Sequence, residues 1–113
     1  MDFETYKNSL AQDAPPEGLS SAVQALWWEA KGDWHQAHQC AQEQADAEGA
    51  WAHAYLHRVE GDLRNAGGWY SRAGRHDAGG KCLRRGDHLP RRCRVRERRR
   101  LENAEVGLAS PSG

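Results

Sequence analysis

Long apolar runs are missing from this chain. No stretch approaches the roughly 18 consecutive apolar residues that a membrane span needs, so no membrane partner is expected. The start, MDFETYKNSL, has no basic opening followed by an apolar stretch, so a signal peptide is not expected either. Apolar residues make up 38% of 113 and mean hydropathy is −0.96, which limits the chain to one small domain with a modest core. Cysteine is sparse: Cys40, Cys82 and Cys93 are an odd count with no CxxC, which argues for a reducing cytoplasm over a disulfide framework. Common catalytic signatures are absent as well. There is no HExxH, no GxSxG and no glycine-rich phosphate loop, so no catalytic residue is nominated and an enzyme is the less expected outcome.

Charge of one sign is also lacking overall, with 16 Lys/Arg against 16 Asp/Glu, but the balance conceals a split. Residues 1–74 hold 5 basic and 11 acidic side chains, and residues 75–113 hold 11 basic and 5 acidic. The division suggests an acidic folded part and a basic tail.

What the chain does contain is an internal echo. ALWWEAKGDWHQAH (25–38) aligns with AYLHRVEGDLRNAG (54–67), bringing Gly32-Asp33 onto Gly61-Asp62 at an offset of 29. Glycine ends a helix in the left-handed region without a Cβ penalty, and aspartate caps the next helix by accepting backbone N–H groups. Each Gly-Asp is therefore a structural turn between two antiparallel helices. Helices are expected near 19–31, 34–46, 48–60 and 63–74. Leu63, Ala66, Tyr70 and Ala73 give the fourth an inward stripe. Gly67 and Gly68 weaken it by about 1 kcal/mol each relative to alanine, which suggests close approach of a neighbouring helix. Arg58 is placed to pair with Asp62, four residues on.

These residues resemble a tetratricopeptide-type helical repeat. Ala25, Trp28, Gly32, Asp33, Trp34 and Ala37 carry the likeness in the first unit, and Ala54, Gly61, Asp62, Leu63, Ala66, Tyr70 and Ala73 in the second. The likeness covers roughly residues 20–74; the units are shorter than is usual for that family, and there are two. HAYLHRVEGD followed by NAGGWYSRAG also resembles a group of short bacterial proteins without an assigned activity, which implies a fold and no function. The expected architecture is all-α: a polar piece over 1–18, closed by Pro15-Pro16, that is either a flexible arm or a short extra element, two stacked helical hairpins over 19–46 and 48–74, and an Arg-rich, disordered tail over 75–113.

Two repeats bury little surface, so a homodimer or another protein partner is expected to cover an apolar face. All five tryptophans lie in the repeat region, where a small core needs large side chains. The candidates for a partner-facing patch are Trp27, Trp51, Tyr55, Arg58 and Trp69. The leading functional expectation is a non-enzymatic protein-interaction module.

The runner-up is a metal-binding protein or a metal-dependent enzyme that draws on His53, His57, Glu60 and His38, with no other cofactor implied. His53, His57 and Glu60 form a narrow stripe on a helical wheel, and histidines four apart can reach one divalent ion with a carboxylate completing the set. The wheel places this stripe on the polar side of its helix. The repeat register disagrees, setting His57 where the first unit has Trp28, between helices. If the register holds, the imidazoles are buried and need partners, and His38 on the preceding helix is one candidate. His35 and His38 carry the same ambiguity with less weight.

The tail segment RRCRVRERRR (91–100) has seven arginines in ten residues. Such a run usually stays disordered and can bind nucleic acid through phosphates, here without aromatic side chains for base stacking. His76, Cys82, His88 and Cys93 match no zinc spacing. After SRAG the composition changes abruptly, where a repeat would be capped by an amphipathic segment. This change reads as a shifted reading frame from about residue 75, in which case the fold would lack its lid.

Overall fold

The computed structural model describes residues 3–74 and 91–104. They form six helices and no strand: α1 (Phe3–Ser9), α2 (Ser21–Ala30), α3 (Trp34–Gln42), α4 (Ala47–Val59), α5 (Leu63–Arg72) and α6 (Arg91–Glu102). The all-α expectation holds, with the four central helices within a few residues of their expected bounds.

The two Gly-Asp corners follow from local chemistry. Gly32 and Gly61 take φ of 90° and 89°. The next amide reaches back across each corner, Asp33 N donating to Trp28 O and Asp62 N to His57 O, both at 2.9 Å. These bonds satisfy carbonyls that the helix end would leave open. Asp33 and Asp62 then cap α3 and α5 by accepting from Gln36 N and Asn65 N. The result is two hairpins, α2 on α3 and α4 on α5, joined where α3 packs on α4. The link between α3 and α4 is tight in its own way: a Cβ on Gly49 would stand 1.9 Å from the Gln44 carbonyl oxygen. Only glycine admits this close approach of chain to helix.

Helix α4 is the hub, packing on α2, α3, α5 and α6. Every residue from Gly49 to Val59 is buried. A helix surrounded in this way has no solvent side, which is why the wheel misplaced His53 and His57.

Several expectations are corrected here. Of the two alternatives for residues 1–18, the flexible arm gives way to the short extra element, α1, whose Tyr6 is fully buried with Val23 and Trp27 in a small second core. The tail is not disordered throughout, since residues 91–102 form α6, which buries Cys93, Glu97, Leu101 and Glu102 against α2 and α4. Gly67 and Gly68 meet no close neighbour, as a Cβ on either would find nothing within 4 Å. Arg58 pairs with Glu97 at 3.1 Å and not with Asp62. Cys40 is a buried free thiol, and Cys93 is buried on α6. The other members of the weighed zinc set, His76, Cys82 and His88, lie outside the described residues.

Helix α6 is held by carboxylates that carry several bonds each. Glu97 Oε1 accepts from Arg58, and its Oε2 from Trp51 Nε1 at 3.3 Å and the Tyr70 hydroxyl at 3.2 Å. Glu29 Oε1 accepts from the Tyr55 hydroxyl at 2.7 Å and from Arg98 at 2.8 Å. Glu102 accepts from the Tyr6 hydroxyl at 2.8 Å. Buried charges of this kind are tolerated because each has several partners. Burial raises the pKa of Glu102 above the usual carboxylate value, opposed by Tyr6 and Arg98.

Candidate metal centre

Three histidines from two helices meet between α3 and α4. His53 and His57 lie one turn apart on α4, and His38 reaches them from α3, the helix that the first Gly-Asp corner folds back. His53 and His57 are 4% and 6% exposed, and His38 is half-buried. One ring nitrogen of each lies within 4.8 Å of the other two. The closest pair is His53 Nε2 and His38 Nε2, 2.9 Å apart. A tetrahedral ion with nitrogens at 2.0–2.1 Å would hold those nitrogens about 3.3 Å from one another, within the range these side chains already span.

Glu60 has a different place from the one its spacing suggested. Its Oε2 lies 2.8 Å from His57 Nδ1, so the carboxylate accepts a hydrogen bond from Nδ1–H in the tautomer that leaves Nε2 with its lone pair. This is the carboxylate–histidine arrangement that fixes a ligand's tautomer and raises its basicity. Glu60 and Asp62 also form a second, more exposed group with His57. The candidates His53, His57, Glu60 and His38 are thus brought together, with the three histidines facing one another and Glu60 behind His57. His35 is exposed, edge-on to Trp34, and takes no part.

Two indoles bracket the cluster. Trp34 stacks on His38 at 4.9 Å between centroids and 13° between planes, and Trp69 on His53 at 3.9 Å and 19°. Trp34 is itself fixed by donating to the Leu56 carbonyl at 2.8 Å. The Arg72 guanidinium lies over Trp69 at 4.5 Å. These contacts restrict the imidazole rotamers and exclude water from their faces. Burial is the main cause that pushes His53 down to about 4, with His38, His57 and Arg72 adding to it. Burial also lowers His38, His57 adding to it while Glu60 opposes. Both rings are therefore neutral near pH 7, the state in which imidazole can donate a lone pair to a metal.

A cavity of about 380 Å³ reaches His53 from outside, walled by Ala41, Ala45, Ala50, Trp69 and Arg72. Of the five residues nominated for a partner, only Trp69 contributes to this opening, beside Arg72, which was not nominated. Trp27, Trp51, Tyr55 and Arg58 are at most 5% exposed, so they are core residues and not a contact patch. Trp34, which completes the bracket, was missed as a site residue; its signal was its position beside His35 and four residues before His38. Comparison with known proteins adds no precedent, since no family model, no curated protein and no solved structure matches the chain. Fold and site define a small all-α protein with a buried three-histidine cluster.

Proposed function

We propose that this protein binds one divalent transition-metal ion through His38, His53 and His57. The observation that carries this reading is the convergence of three imidazole nitrogens within 4.8 Å. Two helices that need only pack side chains have no cause to gather three histidines behind two tryptophans. Three imidazole nitrogens favour zinc, nickel or copper over magnesium or calcium, which prefer oxygen. A three-histidine set leaves a fourth position for water or a small ligand, and the cavity against His53 supplies room for one. The tandem hairpins, α3 packed on α4, serve as the rigid support for the centre; they also keep the helical-repeat reading in view.

The test is titration calorimetry of the metal-free full chain with zinc chloride at pH 7.5. One equivalent should bind. His38→Ala and His53→Ala should each abolish stoichiometric binding, and Glu60→Gln should weaken it about 10- to 100-fold. Failure of the native chain to take up zinc, nickel or copper, or undiminished uptake by both alanine variants, would overturn the reading.

A further inference from the structure

The outward side of α6 is a separate feature with its own chemistry. Five of its arginines, Arg91, Arg92, Arg96, Arg99 and Arg100, are exposed. Taking Arg92 as zero and 100° per residue, Arg96 lies at 40°, Arg99 at −20° and Arg100 at 80°, so four guanidinium groups share one sector. The helix has 12 residues, about 18 Å of length at 1.5 Å per residue. Its two carboxylates, Glu97 and Glu102, are turned inward and bonded to the core. Arg94 and Arg98 are drawn to Glu29. Among the described residues, no ion pair reaches the five exposed arginines. The packing thus sorts the charges: acidic groups and two arginines go inward, and an uncompensated basic stripe remains outside.

We propose that α6 binds the phosphate backbone of double-stranded nucleic acid, without sequence preference. A duplex carries one negative charge per about 1.7 Å of axis, so a rod of 18 Å faces roughly ten phosphates, more than enough for every exposed arginine. Arginine suits phosphate because its planar fork makes two parallel bonds. The exposed side of α6 carries no aromatic ring, which disfavours single strands held by base stacking. A membrane surface fits less well, because an interfacial helix must offer an apolar face to the lipid. Here Cys93 and Leu101 are already buried in the protein core, and half-buried Val95 is the one other apolar residue of α6, too little for an apolar face. The proposal is independent of the histidine cluster.

The experiment is fluorescence anisotropy of the full chain with a 20-base-pair DNA duplex and an RNA duplex of matching sequence. It is run from 50 to 200 mM KCl with EDTA present, which removes any role of bound metal. Affinity at low salt should fall in or near the micromolar range typical of non-specific binding. Both duplexes should bind within tenfold of each other. The plot of log K against log salt should have a slope near −4.5 if all five arginines make contacts. The variant Arg92→Gln/Arg96→Gln/Arg99→Gln/Arg100→Gln changes only exposed positions, and circular dichroism checks that it stays folded. Its slope should fall to about −1. Three results would overturn the proposal: no binding at 50 mM KCl, an unchanged slope in the folded variant, or equal affinity for phosphatidylserine vesicles.

Discussion

Arg58 on α4 and Glu97 on α6 form an ion pair of 3.1 Å in which the side chains are 3% and 4% exposed. The two residues are 39 positions apart, yet each neutralises a charge that the core could not otherwise hold. Trp51 and Tyr70 add their own donors to the same carboxylate. The pair is thus the latch between the second hairpin and the basic helix.

Breaking the latch on one side leaves a buried charge uncompensated. Glu97→Leu should destabilise the fold by about 3–5 kcal/mol. The double variant Arg58→Met/Glu97→Leu should lose clearly less than the two single variants added together. Urea denaturation of the four proteins in this cycle measures the coupling, and strict additivity would mean that the pair does not hold α6 in place.

Removing residues 75–113 tests the same idea on a larger scale. The truncated chain loses the partners of Arg58, Glu29 and Tyr6 at once. It should melt at a distinctly lower temperature and with a broader transition. An unchanged melting point would return the tail to the reading of a shifted frame, with no part in the fold.

Glycine positions separate by what surrounds them. Gly67→Ala and Gly68→Ala add a methyl group to open space on an established helix, so each should stabilise by about 0.5–1 kcal/mol. Gly49→Ala drives the new carbon into the Gln44 carbonyl, and should cost more than about 2 kcal/mol or abolish folding. Thermal melts of the three variants give the ranking, and a stabilising Gly49→Ala would show that the α3–α4 link is looser than described.

The depressed pKa of His53 has a definite sign for stability. Its folded value, about 4, lies below the ordinary value of 6.5, so between these pH values the unfolded chain binds more protons. Stability contributed by the neutral ring is fully present above pH 6.5 and is lost as pH falls toward 4. Relative to a folded His53→Gln variant, the native chain should lose about 2 kcal/mol between pH 7.5 and pH 5. Chemical denaturation at the two pH values, with EDTA present, gives the difference; parallel behaviour of the two proteins would place His53 in water.

How much of this was legible in the sequence depended on how far each interaction reaches along the chain. The Gly-Asp corners could be read because capping involves neighbours, and the helix bounds followed from them. His57 could be read as buried from its register with Trp28, but not from the wheel, which assumes a solvent face that α4 lacks. The nominated contact residues Tyr55 and Arg58 are core because Glu29 and Glu97 wait 26 and 39 residues away to receive them. Nothing local announces such partners. Arginine-rich composition hid α6 for the same reason, since what orders it is the set of acceptors on α2 and the donors on α4. Trp27 and Trp28 show the limit from the other side: adjacency proved that they face differently, but only packing against Tyr6 and Val23 chose Trp27 for the interior.

The indole–imidazole stacking gives the protein an optical gauge of its own. Trp34 and Trp69 sit face to face with two of the three imidazoles, so their ultraviolet emission should respond to whatever those rings hold. A copper(II) ion, with its open d shell, should darken both indoles, whereas zinc(II), with a closed shell, should leave them bright. Emission measured on the native chain would therefore separate a closed-shell from an open-shell ion at the proposed centre, without a label or a redesigned residue.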